Sequence, residues 1–187
     1  MEYRKFRGDH ICIVEKILSA NDVLVTDITG LVVGIMDIAD AGDGIEVVEG
    51  ILSPGFINCH CHLELSHLKG YIPEHTGLVD FIFKVVNERH PMAIGFEEEI
   101  ILEAIEDAEN KMWQHGIVAV GDICNNTLTI PKKLKRRVRY HNCSKASGFP
   151  QSVAGIGLQR SVDLYQACKE NLPATTIFPH ATNSVST

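Results

Sequence analysis

The stretch Gly50-Ile51-Leu52-Ser53-Pro54-Gly55-Phe56-Ile57-Asn58-Cys59-His60-Cys61-His62-Leu63-Glu64-Leu65-Ser66-His67 decides how the rest of the chain is read. A short apolar run, introduced by Pro54-Gly55, ends in two cysteines and two histidines that alternate. Successive side chains of a strand point to opposite faces, so His60 and His62 are expected on one face and Cys59 and Cys61 on the other. Such an alternation cannot place four ligands around one tetrahedral zinc ion. Structural zinc sites draw instead on ligand pairs a few residues apart, with a second pair downstream, and the chain contains no Cys-x-x-Cys. The two pairs therefore have different jobs. Imidazoles at i and i+2 at a strand end can hold one divalent metal from one face, leaving its other positions to other strands.

Upstream, residues 1–52 read as a small antiparallel β unit. HICIVEKIL, NDVLVTDITGLVVGIMDI and AGDGIEVVEGIL are β-rich, and Asn21-Asp22, Thr29-Gly30 and Asp43-Gly44 mark the bends. Downstream, residues 53–187 alternate apolar runs with amphipathic helices, the signature of a parallel α/β arrangement. Strands are expected at 55–61, 117–123, 138–143 and 175–180, and helices at 78–89, 96–115 and 157–171. The second helix is the clearest: Ile101, Ile105, Ala108 and Met112 recur at helical spacing, Glu97 to Glu99 favour the positive N-terminal end, and Gly116 follows the last turn. Asp122 closes the second of these strands, either facing a pocket or capping the next turn. His141, inside the third strand, reads as a hydrogen-bonded core histidine.

The composition excludes several classes. With 187 residues, 45% hydrophobic and 22% charged, the chain can bury a substantial core. A net charge of -7 disfavours general attraction to nucleic acid. The basic run Pro131 to Arg137 has only Tyr140 nearby as a stacking partner, so it reads as a solvated approach to the third strand. No signal peptide or membrane-spanning apolar run is evident, and the six cysteines lack the dense spacing of a secreted scaffold. Free thiols and a cytoplasmic location are expected, with Cys12, Cys124 and Cys168 packing as small apolar residues.

The segment GILSPGFINCHCHLELSHLKG resembles the first barrel strand of the amidohydrolase superfamily, where a Pro-Gly-Phe-Ile/Val-Asn run leads into His-x-His. More narrowly it is similar to the chlorohydrolase and aminohydrolase branch with its S-adenosylhomocysteine, guanine and aminofutalosine deaminases, HLELS being nearest the aminofutalosine group. Downstream, FPHATNSVS resembles that branch's Pro-His-Ala-Pro-Tyr-Ser-Val-Ser segment after the fourth strand.

The resemblance implies a partial (β/α)8 TIM barrel, its first four strands preceded by the small β unit. His60 and His62 would be metal ligands at the active-site end of the first strand. His180 would contact substrate, and Glu64 and His67, with Ser66, would lie near the mouth of the site, where substrate contact and a solvated loop are both open readings. The implied cofactor is a divalent metal, zinc first and iron or manganese next. It would activate water to attack an amidine-like carbon of a purine-like small molecule, with ammonia leaving. The family's remaining ligands and its proton-shuttling glutamate come from strands five to eight. Only about 130 residues follow Pro54, whereas a whole barrel takes about 250. The expectation is thus a chain truncated before those strands. The alternative is a catalytically inactive homologue that folds or functions only by association, with itself or another chain, through open barrel edges. Departures from the family pattern at Thr182-Asn183 and Lys145 bear on substrate binding rather than on the fold.

Overall fold

The computed structural model describes residues 2–14, 16–88, 97–148 and 150–179. The chain divides into two compact units, Met1–Pro54 and Gly55–Thr187.

In the first unit, β1 (Tyr3–Ile13), β2 (Lys16–Ile17), β3 (Asp22–Asp27), β4 (Val32–Asp37) and β5 (Ile45–Leu52) form one sheet, ordered β2-β1-β3-β4, with β5 on β1. Val23 and Val25 of β3 and Ile11 of β1 are buried in it. The β3–β4 turn is built by Asp27, whose Oδ1 accepts the Thr29 N–H at 2.8 Å and the Leu31 N–H at 3.0 Å. Gly30 beside it takes φ +87°, a conformation a side chain would strain. One pairing departs from the antiparallel expectation: β5 runs parallel to β1. The connection into β5 is held against β1 by Lys5, whose Nζ donates to the carbonyls of Ala41 and Asp43 at 2.6 Å each.

The second unit carries a four-stranded, all-parallel sheet in chain order: β6 (Phe56–Cys61), β7 (Ile117–Cys124), β8 (Arg139–Ala146) and β9 (Thr175–Pro179). Between them run α1 (Leu78–Glu88), α2 (Glu98–Gln114), a single turn α3 (Ile130–Lys133) and α4 (Gln151–Asn171). This mixed α/β arrangement fits part of a barrel. Ile101 and Ile105 of α2 are buried with Leu63, and Cys61, Ala108, Met112, Leu128 and Tyr140 pack around them. α2 ends as the sequence predicts, with Gly116 at φ +76°.

Three expectations need correction. The run Pro131 to Arg137 is not wholly solvated: it contains α3, and Lys132 and Lys133 are buried. Each finds carboxylates there. Lys132 Nζ reaches Glu106 at 2.6 Å and the fully buried Glu109 at 2.7 Å, while Lys133 Nζ reaches Asp122 at 2.6 Å. Second, α4 starts six residues before the expected 157, directly after Pro150. Gly157 inside it and Gly148 just before it leave room for close packing. A Cβ on Gly157 would lie 1.9 Å from the Ser147 carbonyl oxygen, and one on Gly148 would lie 2.7 Å from Ala154 Cα. Third, Cys12 is only half-buried, whereas Cys124 and Cys168 are buried as expected. α1 is as expected over 78–88 but buries none of its residues, leaving Leu78, Val79, Phe81, Ile82 and Phe83 exposed.

Candidate metal centre

β6 does not stay in register with β7 to its end. Phe56 pairs with Ile117 and Asn58 with Val120, but Cys61 pairs with Asp122, so the register slips between Asn58 and Cys61. The slip is supported from both sides. Asn58 Oδ1 accepts the His60 N–H at 3.1 Å. Opposite, Gly121 leaves the room that Cys59 needs, since a Cβ there would sit 2.9 Å from the Cys59 carbonyl oxygen. The strict alternation expected of Cys59 and Cys61 is thereby broken: Cys61 packs against the α2 core, but Cys59 is exposed. Burial, reinforced by the nearby Asp122 charge, pushes the Cys61 thiol up to about 12.

His60 and His62 lie together beyond the slip. Their ring centroids are 5.3 Å apart and their planes are inclined at 66°; His60 is exposed and His62 half-buried. The chain then closes into a 3-10 turn, Leu63–Leu68, that begins at His62.

Two buried carboxylates hold this turn. Asp122 Oδ1 accepts the Leu63 N–H at 2.8 Å. Glu64, only 2% exposed, spans to the segment after β7: its Oε2 accepts the N–H groups of Asn125 at 2.8 Å and Asn126 at 3.2 Å, and its Oε1 accepts from Asn125 Nδ2. Burial raises the Glu64 carboxyl above the ordinary glutamate range, and the donors from Asn125 and Asn126 oppose that shift. Within the turn, Ser66 Oγ donates to the Leu63 carbonyl at 2.6 Å. His67 Nδ1 donates to the Glu64 carbonyl at 3.0 Å, which fixes the tautomer of the neutral ring. Burial lowers the His67 pKa, against the opposing effect of that bond.

Behind the turn, Asp122 completes a polar cluster. Lys133 Nζ donates to Asp122 Oδ2 at 2.6 Å, to Asn142 Oδ1 at 2.6 Å and to Cys124 Sγ at 3.2 Å, and it lies 5.2 Å from the Tyr140 ring centroid. Desolvation works against the Lys133 charge, but Asp122 and Cys124 together outweigh it, and the pKa is raised. Asp122 thus neither opens into a pocket nor caps a turn of its own: it ties the turn after His62 to α3 and β8. His141 also departs from expectation, being exposed, with Nε2 3.1 Å from Thr176 Oγ1 of β9. His180, Thr182 and Asn183 lie outside the described residues.

The sequence pointed to His60, His62, Glu64 and His67, and these do fall on one strand end and the turn that follows. It gave no hint of Gly121 or Asn125, whose partners Cys59 and Glu64 lie about sixty residues away along the chain, nor of the buried Lys133–Asn142 contact. The test for a metal is therefore partial. Two imidazoles on one strand end suit a divalent ion, but among the described residues no group of three or more His, Cys, Asp or Glu side chains is placed to hold one. Zinc centres use at least three protein ligands, so this pair would supply part of a site. No described helix is long and apolar enough to cross a membrane.

No protein-family model matches the chain, and no curated protein matches it by sequence. Solved structures do share its fold. Helicobacter pylori aminofutalosine deaminase, in complex with methylthio-coformycin, superposes with a TM-score of 0.71 at 17% identity, over 93% of this chain and 42% of that one. Guanine deaminase from C. acetobutylicum, with guanine in its active site, gives 0.69 at 14% identity over 99% and 48%. Atrazine chlorohydrolase from Arthrobacter aurescens TC1, complexed with zinc, gives 0.66 at 16% identity over 97% and 47%. The chain thus spans less than half the length of the structures it resembles.

Proposed function

We propose that this chain carries part of the metal site of an amidohydrolase-type enzyme that acts on non-peptide C–N bonds, with a purine-like or related heterocycle as substrate and deamination as the reaction. The observation that carries the reading is the His60–His62 pair, which projects from the end of a parallel strand in a fold shared with two deaminases and a zinc-containing chlorohydrolase. His60 and His62 would hold the metal, zinc before iron or manganese. Bound there, it would acidify a coordinated water and polarise the reacting centre of the substrate.

The chain's own residues have narrower tasks. The register slip and Gly121 set the two imidazoles at the strand end. Cys61 packs behind them against the core under α2. Substrate contact is proposed for His180 and for His67 and Glu64 of the turn. Glu64 could make such contact only by releasing Asn125 and Asn126. The units 1–52 and 53–187 are proposed as an accessory β unit and the first four strands of a barrel. Action on a small molecule in the cytoplasm, without nucleic acid, belongs to the same proposal.

A second reading has its own support. β6 and β9 each pair on one side only among the described residues, and α1 exposes a row of apolar side chains. On this reading the chain is a non-catalytic homologue that works by association. One measurement separates the two: Zn2+ binding to the chain, followed calorimetrically. The first reading predicts binding that the substitutions His60→Asn and His62→Asn abolish. A chain that binds no Zn2+ favours the second, and binding indifferent to both histidines would contradict the first.

A further inference from the structure

The two histidines sit where the strand is least supported. After Asn58 the β6–β7 register slips, and His62 already begins the 3-10 turn. The sheet ladder therefore cannot fix the spacing of the rings. Two ligands must nevertheless keep their geometry to within about half an ångström to hold a metal. Something other than the ladder must supply that rigidity.

We infer that Glu64 is a positioning residue for the His60–His62 pair, acting as a clasp between the turn after His62 and the chain leaving β7. This rests on the metal reading proposed above. Glu64 is two residues from His62, and its carboxylate collects three donors from Asn125 and Asn126. Two of these are backbone N–H groups that have just left the β7 ladder, which ends at Cys124. These donors are half-buried, so opening the clasp deprives them of their protein acceptor and loosens the chain leaving β7. The residue before Glu64 is fixed independently, by Asp122 on the Leu63 N–H. With both carboxylates engaged, the turn is pinned on either side of the Leu63–Glu64 peptide. The His62 ring emerges one residue from that peptide. The same turn carries its own lock, His67 on the Glu64 carbonyl, so a shift of Glu64 would be passed along it.

What the clasp needs is acceptors at the right reach, not negative charge. Glu64→Gln keeps an oxygen for the two backbone donors, and the Asn125 amide can turn over to meet the new NH2. Glu64→Ala removes every acceptor. Asn125→Asp keeps both backbone donors but sets a second carboxylate against the first. Each full-length variant is checked for folding by circular dichroism. It is then titrated with Zn2+, with binding followed calorimetrically and through the ring-proton NMR resonances of His60 and His62.

Glu64→Ala and Asn125→Asp are expected to weaken Zn2+ binding by about 10–100-fold and to broaden the His60 and His62 resonances in the metal-free protein. Glu64→Gln should stay close to wild type. If Glu64→Ala does not fold, Asn125→Asp and Glu64→Gln decide. Wild-type affinity and sharp resonances in Asn125→Asp would overturn the clasp, as would a loss in Glu64→Gln equal to that in Glu64→Ala, which would mean the charge itself is required. Wild-type protein whose Zn2+ binding ignores His60→Ala and His62→Ala would instead overturn the metal reading, and this inference with it.

Discussion

Gly121 shows how a residue without a side chain can shape a site. It stands opposite the slip in β6, where a Cβ would press within 2.9 Å of the Cys59 carbonyl oxygen. The neighbour is backbone, so it cannot rotate away. Gly121→Ala is expected to cost about 1–3 kcal/mol, the usual penalty for overpacking, read as a lower urea midpoint. It should also move the His60 and His62 NMR resonances more than those of His75 or His115. An unchanged midpoint and unchanged resonances would show that the strand end accommodates the methyl freely. At this scale the histidines were legible because i, i+2 spacing in a strand is a local property. The partners of Glu64 were not, because Asn125 and Asn126 are more than sixty residues away along the chain and only the fold brings them together. Cys59 was misplaced for a related reason: alternation is the rule of a regular strand, and a bulge suspends it.

Elements were read best where a periodic apolar face did the work. α2 presents Ile101 and Ile105 to the core just as its spacing requires, whereas α3 hides inside a basic run in which Lys132 and Lys133 are buried against carboxylates. Charge alone suggested solvent there. The consequence is a dependence on alkaline pH. The folded pKa of Lys133 is raised, as are those of Cys124 and Tyr140, where burial leads and neighbouring carboxylates add to it. A group whose folded pKa is raised stabilises the protein fully below its unfolded value and ceases to as pH climbs toward the folded one. The window therefore opens near pH ~8.5 for Cys124 and extends above ~10 for Tyr140 and Lys133. The urea midpoint should fall steadily from pH 8 to 11. Lys133→Met should lower the unfolding free energy at neutral pH by about 3–5 kcal/mol, because Asp122 is left buried without its partner, and adding Asp122→Asn should recover part of the loss. A midpoint flat from pH 8 to 11 would contradict this account of the α3–β7–β8 cluster. The glycines of α4 teach the complementary lesson. The expected start at Gly157 falls inside the helix, at a position whose close approach to Ser147 and Gly148 leaves no room for a Cβ.

For the whole molecule, the order of strands and helices was enough to foresee a parallel βα region after a β unit, since both follow from short-range pattern. Which further strands complete the sheet is not a local property. The described sheet leaves β6 and β9 each with one unpaired edge, and Leu78, Val79 and Phe83 of α1 are 73%, 64% and 64% exposed. Open edges and bare apolar faces favour association. Light scattering coupled to gel filtration should find the isolated chain as a dimer or larger species, and a monomer with a single sharp urea transition would contradict that expectation. The central claim, that the strand end at residues 60–62 is part of a metal centre, is met most directly by Zn2+ titration of the wild-type chain. The comparison is with His60→Asn/His62→Asn and Cys59→Ala/Cys61→Ala. The account predicts that binding disappears in the histidine variant and survives intact in the cysteine variant; binding that survives loss of the histidines, or requires the cysteines, would contradict it.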